Sequence, residues 1–304
     1  MGNAVKSTAA QRRFLDARPE ACEVVHGDAR DVLPKLKAET FRCCVTSPPY
    51  WGLRDYGYEG QIGAELMLGQ YIEALRAVFR EVFRVLTPDG TLWLNIGDAF
   101  TSGNRTWRDT DRKNPARAMS YRAPTPVGLK PKDLIGVPWR VAFALQADGW
   151  YLRSDIIWHK PNCQPESVKD RPTRAHEYVF LFSKSERYFY NAAAIEEPAN
   201  GNGGTRNRRS VWAINTEPFP GAHFAVFPPK LVELCVLAGS EAGDRVLDPF
   251  FGAGTVGLVC LPLRRSFLGI ELKEEYVALA ERRLGWRTDA WQGAPLPRLI
   301  RSGS

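Results

Sequence analysis

The chain has 304 residues, 44% of them hydrophobic and 25% charged, with 41 Lys and Arg against 34 Asp and Glu. These are ordinary globular values, which exclude collagen, coiled coil and wholesale disorder, and no apolar run reaches the roughly 18 residues of a membrane span. Six cysteines at scattered positions form no C-x-x-C, and the opening MGNAVKSTAAQRRF lacks an apolar signal segment, so a reduced, cytoplasmic protein without structural metal is expected.

Residues 1–21 read as a polar leader. Cys22–His26 is a short strand closed by Gly27-Asp28, residues 29–38 suit a helix, and Phe41–Thr46 is a second strand stopped by Ser47-Pro48-Pro49. From Tyr71 to Leu86 the apolar residues Ile72, Leu75, Val78, Phe79, Val82 and Phe83 recur at the spacing of one buried helix face. Thr87–Gly90 is turn chemistry, and Thr91–Ile96 is a buried strand. Residues 99–132 lose periodicity and read as a long loop or inserted recognition segment. A helix at Pro138–Ala147, strands at Tyr151–Trp158 and Glu177–Ser183, and an irregular basic stretch at 191–216 follow. Helix Pro229–Ala238, strand Arg245–Asp248, helix Gly254–Leu261, strand Ser266–Ile270 and helix Lys273–Leu284 complete the order. Such alternation predicts an α/β protein with one mostly parallel, buried sheet: a catalytic domain over 22–285, insertions at about 101–132 and 191–215, and a tail at 286–304.

The positive charge is concentrated. Residues 101–132 hold Arg105, Arg108, Arg112, Lys113, Arg117, Arg122, Lys130 and Lys132 against Asp109 and Asp111. Arg206, Arg208 and Arg209 form a second cluster in a glycine-rich stretch. Trp107 and Tyr121 among the first set favour nucleic acid, where arginine grips phosphate or reads guanine; a solvated loop is the alternative.

Gly252-Ala253-Gly254-Thr255-Val256-Gly257 is a G-x-G-x-x-G between a strand and a helix, and Glu271 ends the next strand 23 residues after Asp248. That acid can accept hydrogen bonds from both ribose hydroxyls of an adenosine ligand. Asp248-Pro249-Phe250 places an anion where pyrophosphate would be repelled. It suits an ammonium or sulfonium, which points to S-adenosylmethionine. A plain strand–helix turn is the alternative. In Thr46-Ser47-Pro48-Pro49-Tyr50 two prolines remove two backbone donors, so nearby carbonyls can face outward. With the Ser47 hydroxyl and the Tyr50 ring they can hold an exocyclic amine and stack its base; a rigid turn is the bland reading.

TSPPY early and DPFFGAGT late resemble the amino-methylating DNA methyltransferases, and more narrowly the permuted β class, in which the catalytic motif precedes the cofactor motif. HGDARDVL, LTPDGTLWLNIGD, IIWHKPN, HEYVFLFSK, HFAVFPPKLVELCVLAGS and LGIEL match in the family's order across about 22–285, and TSPPYWGLRDYG resembles stand-alone, site-specific bacterial or phage enzymes. The resemblance implies a Rossmann-like fold, S-adenosylmethionine as cofactor and double-stranded DNA as partner, with a homodimer as a family habit that no sequence feature demands. It implies that Ser47, Pro48 and Tyr50 hold the target base, with Pro49 in the same catalytic turn. Asp248, Phe250, Gly252 and Gly254 would line the cofactor's methionine end, joined by Pro249 and Thr255. Glu271 would bind ribose, Asp28 would lie near adenine, and Phe227, Pro228 and Lys230 near the carboxylate end.

Two acceptors on the amine let its nitrogen shift toward sp³ and attack a sulfonium methyl in line, so positioning and desolvation suffice. The base must leave the duplex to reach such a pocket. Methylation at cytosine C5 needs a thiolate; no Pro-Cys occurs, and Cys43 and Cys44 read as small core residues. His159 reads either as a strand end or as a group near DNA or the base pocket. Arg54 and Asp55 read either as DNA contacts or as an exposed ion pair. Ser before Pro-Pro is commoner among cytosine-N4 enzymes, but the WGLRDYG continuation tips the overall reading slightly toward adenine N6. Rival readings are transfer to RNA or a glutamine side chain, and a nicotinamide-dependent oxidoreductase, against which the Asp248 anion and the Ser47–Tyr50 cluster both argue.

Overall fold

The computed structural model describes residues 22–53, 57–101, 123–199, 203–217 and 227–286. The leader, most of the tail, Arg54, Asp55, Trp107, Tyr121 and the six basic residues from Arg105 to Arg122 lie outside them.

Strand β1 (Glu23–His26) is followed by a short helix α1 (Ala29–Val32), a 3-10 turn at Leu33–Lys35 and strand β2 (Phe41–Thr46). Helix α2 (Leu68–Val85) runs directly into β3 (Leu86–Ile96). Next come α3 (Val137–Ala147), β4 (Tyr151–His159), β5 (His176–Ser183) and the short strands β6 (Glu197–Pro198), β7 (Thr205–Arg206) and β8 (Val211–Ala213). Then follow α4 (Pro229–Gly239), β9 (Arg245–Asp248), α5 (Thr255–Cys260), β10 (Ser266–Glu271) and α6 (Glu274–Arg283). Eight strands form one sheet in the order β1-β10-β9-β2-β3-β5-β4-β8. It is parallel from β1 through β3; β5 runs antiparallel to β3 and β4, and β8 runs parallel to β4.

Alternation along the strands divides the core into two faces, as a period of two requires. Val25, Cys44, Leu92, Leu94, Phe180, Phe182, Leu247 and Leu268 pack with α1, α2 and α3. Val24, Cys43, Val45, Trp93, Val179, Leu181, Val246 and Phe267 pack with α4, α5 and α6. Helix α2 buries Leu68, Tyr71, Leu75, Val78, Phe79, Val82 and Val85; Leu68, Tyr71 and Val85 extend the expected face, while Ile72 and Phe83, expected on it, are half-buried at its margin.

Three expectations need correction. Thr87–Gly90 belongs to β3 instead of a free turn: pairing jumps from Phe41↔Leu86 to Cys43↔Thr91, so the segment is a large bulge. The stretch 29–38 is one helical turn and a 3-10 turn, cut short by Pro34. The stretch 191–216 is not all irregular, because β8 extends the main sheet and β6 pairs with β7. Buried Trp212 secures β8 by stacking on Trp93, with ring centroids 6.3 Å apart, and a three-residue strand carries no readable alternation.

Candidate active site

In a parallel sheet the carboxyl ends of the strands share one edge, and the crevice there is where open α/β sheets bind ligands. β1, β10, β9, β2 and β3 all end on that edge, β4 ends there, and β5, being antiparallel, begins there. Asp28, Glu271, Asp248, Ser47, Asn95, Lys160 and Glu177 therefore converge, although they span the chain. The proline turn and the strand before the glycine turn meet directly: the Thr46 hydroxyl donates to Asp248 Oδ1 at 2.6 Å, across 202 positions of sequence.

Asp248 is fully buried. Its Oδ1 also accepts the Phe250 amide at 3.0 Å, while Oδ2 is buried without a partner. Burial pushes this carboxyl up to about 7, against the bonds from Thr46 and Phe250, and nearby Glu271 adds to the rise. Such an acid lacks one donor or cation. A cationic ligand would supply it, so the residues fit an ammonium- or sulfonium-bearing group. Glu271 is buried as well; it accepts the Gly252 amide on Oε2 and the Lys273 amide on Oε1, both at 2.8 Å, and burial raises its pKa. Gly254 caps α5 with φ +81°, and a Cβ there would meet Ala280 Cβ at 2.9 Å, so the turn admits glycine alone. Thr255 is buried at the helix start, within 3.3 Å of the Arg283 guanidinium.

The remaining cofactor candidates are engaged locally. Asp28 caps α1 and pairs with Arg30 at 2.6 Å; burial pushes its carboxyl up, but the bonds from Arg30 outweigh that and hold it below the usual range. Pro228 precedes α4, Phe227 packs on the core beneath it, and Lys230 pairs with Glu233 at 2.7 Å.

In the proline turn Pro48 is buried and Ser47, Pro49 and Tyr50 are half-buried. One expected free carbonyl is taken: Pro49 O accepts the Tyr71 hydroxyl at 2.9 Å. The Tyr50 phenol donates to Glu177 Oε2 at 2.8 Å. Burial and the Glu177 charge push that phenol well above its usual pKa, with Ser47 opposing, so it stays protonated. Asn95 also donates to Glu177 Oε2, at 3.2 Å, and Lys160 pairs with Oε1 at 2.5 Å. A cleft of ≈170 Å³ opens beside Tyr50, walled by Trp51, Asp98, Phe100, Pro126 and Ile135; Asp98 holds its wall by accepting the Gly136 and Val137 amides, each at 2.9 Å.

Sequence reasoning assigned no role to Asn95, Lys160 or Glu177. The available signal was polarity out of place: a Glu in HEYVFLF and a Lys after IIWH, each beside a buried strand. Cys43 and Cys44 are fully buried, and burial pushes the Cys43 thiol up to about 12, so neither is a thiolate nucleophile. Arg206 and Arg209 both pair with Glu197, at 3.0 and 2.6 Å, and Arg208 donates to the Ile195 carbonyl. Among the described residues no group of three or more potential ligands could hold a metal, and no helix is long and apolar enough to cross a membrane.

Residues 41–282 match the model of the DNA methylase family N6_N4_Mtase. The chain is 64% identical over 271 residues to the type II methyltransferase M.SmaI of Serratia marcescens, covering 89% of this chain and 93% of that protein. Its fold is similar to that of the PvuII DNA methyltransferase (cytosine-N4-specific), with a TM-score of 0.66 at 22% identity over 90% and 88% of the two chains. It is also similar to a Thermus thermophilus protein solved with S-adenosyl-L-methionine, with a TM-score of 0.61 at 25% identity over 89% and 96%. The motifs, their convergence on one sheet edge and these likenesses agree: the chain belongs to the N6/N4 family of DNA methylases.

Proposed function

We propose that this DNA methylase transfers a methyl group from S-adenosylmethionine to the exocyclic amine of a base flipped out of duplex DNA, and that the base is cytosine, modified at N4. The Thr46–Asp248 hydrogen bond carries the reading, because it locks the base-holding turn against the cofactor turn. When bound, the cofactor supplies a methyl carbon made electrophilic by sulfonium. Asp248 Oδ2 takes its ammonium, and Glu271 accepts ribose hydroxyls on lone pairs its two amide bonds leave open. Gly252 and Gly254 let the backbone approach.

Ser47 and the Pro48 carbonyl accept the two amine N–H groups, since the Pro49 carbonyl is committed to Tyr71. Tyr50 stacks on the flipped base, offsetting part of the unstacking cost by about 1–3 kcal/mol. The nitrogen lone pair forms the new N–C bond as the carbon–sulfur bond breaks and its electron pair stays on sulfur. The resulting ammonium is acidic enough to lose its proton to water. Neutral Ser47 before the proline pair, together with the likeness to a cytosine-N4-specific enzyme, supports cytosine over the adenine that the WGLRDYG run favours.

The type II relatives support a role as the modification partner of a restriction endonuclease in a bacterial cytoplasm. Labelled cofactor offered with duplex DNA, RNA and protein tests the substrate class, with label expected in duplex DNA alone. Digestion of that DNA to nucleosides and mass spectrometry should give N4-methyldeoxycytidine; N6-methyldeoxyadenosine would overturn the base assignment and leave the amine chemistry standing.

A further inference from the structure

We infer that Glu177 is a positioning residue that fixes the plane of the Tyr50 ring, and with it the surface on which the target base stacks. This inference rests on the methyl-transfer reading above. Three donors converge on one carboxylate: the Tyr50 phenol and Asn95 amide on Oε2, and the Lys160 ammonium on Oε1. A carboxylate side chain offers acceptors on both oxygens; an amide would turn its NH2 against one of these donors. The four groups come from the ends of four different strands, so the arrangement is set by the whole sheet edge and not by one flexible loop. Lys160 is itself held, its ammonium 4.2 Å from the centre of the Trp158 ring.

Gly97 lies against both the ring and the carboxylate. A Cβ there would fall 2.7 Å from Tyr50 Cε2 and 3.3 Å from Glu177 Cδ. The ring edge thus leaves room for glycine alone at position 97, while its hydroxyl is tethered to Glu177. Tyr50 has two side-chain torsions, and a tether at the hydroxyl with glycine backbone at the ring edge fixes both. The face so held is the one a base can cover. Glu177 acts on the base through Tyr50, and no proton passes to it from the substrate.

A double-mutant cycle on the full-length protein tests this. Single-turnover methyl transfer to duplex DNA, cofactor affinity and thermal melting are measured for Tyr50→Phe, Glu177→Gln and the pair. A hydrogen bond to a charged group is worth about tenfold or more, so each single variant should slow transfer about tenfold. Cofactor affinity should stay within about twofold, and the double variant should be slowed about tenfold as well, since both changes cut the same tether. Rates multiplying to about a hundredfold loss, a wild-type rate for Glu177→Gln, or a matching loss of cofactor affinity would overturn the inference. Multiplying rates together with a lost pH dependence would mark Glu177 as a proton acceptor instead. If Glu177→Gln does not fold, Glu177→Asp, which withdraws the carboxylate from the phenol, forms the same cycle with Tyr50→Phe. A wild-type protein that labels no DNA would overturn the functional reading first and this inference with it, and is told apart because the unmutated enzyme is then inactive.

Discussion

Replacing Asp248 by Asn should stabilise the ligand-free protein at alkaline pH while weakening its hold on the cofactor. The carboxyl titrates at an ordinary 3.8 when unfolded and at about 7 when folded. At about 1.4 kcal/mol per tenfold, that gap amounts to about 4 kcal/mol. The folded state keeps its proton between those two values and the unfolded state does not. Stability therefore falls as pH rises through that window, and the full penalty stands above about 7. Asn keeps an oxygen for Thr46 and Phe250 and puts a neutral NH2 where Oδ2 is stranded, so the penalty goes.

Urea unfolding at pH 5 and pH 8 should show the variant's advantage over wild type growing by about 2–3 kcal/mol from the lower pH to the higher, because pH 5 already lies about a third of the way into the window. Glu271 also has a raised pKa, but it is common to both proteins and cancels in the difference. Calorimetry in two buffers near pH 6 should show wild type releasing close to one proton when it binds S-adenosylmethionine, and the variant binding at least about tenfold more weakly with no release. Equal stability differences at both pH values would refute the account of a buried acid awaiting a cation.

Ser47→Ala should lower turnover by about 10–100-fold with cofactor affinity unchanged; weakened cofactor binding in titrations would contradict the division of labour between the two turns. Gly254→Ala should destabilise the protein by about 2 kcal/mol or more, because alanine resists φ +81° and its methyl would strike Ala280; a melting temperature equal to wild type would count against the turn as drawn. Glu197→Gln should free Arg206 and Arg209 and tighten DNA binding, with a salt dependence steeper by about one phosphate contact. Fluorescence anisotropy across a salt series checks this, and an unchanged slope would remove these arginines from the DNA interface.

The cofactor turn was legible because its message is local. A strand, glycines at fixed offsets and an acid after the next strand are read within 24 residues, and Arg245–Asp248 is a strand with the bounds the sequence suggests. The proline turn was legible as a turn at the end of a buried strand, yet the fate of each carbonyl was not. Pro49 is taken by Tyr71, a residue that the periodicity marks only as helix core. Glu177, Asn95 and Lys160 were illegible as a group, because what each does depends on the order of β3, β5 and β4 across the sheet. β8 escaped notice for a different reason: one buried tryptophan, not a pattern, makes it a strand.

The bond between Thr46 and Asp248 also governs timing. A contact separated by 202 positions carries a large loop-closure entropy and forms late, after neighbouring segments have condensed. During translation the proline turn leaves the ribosome long before Asp248 and Glu271 exist. A half-made chain has the proline turn without the buried carboxylate that anchors it. The site is therefore all-or-none at the level of synthesis: no chain that stops before the second turn completes it.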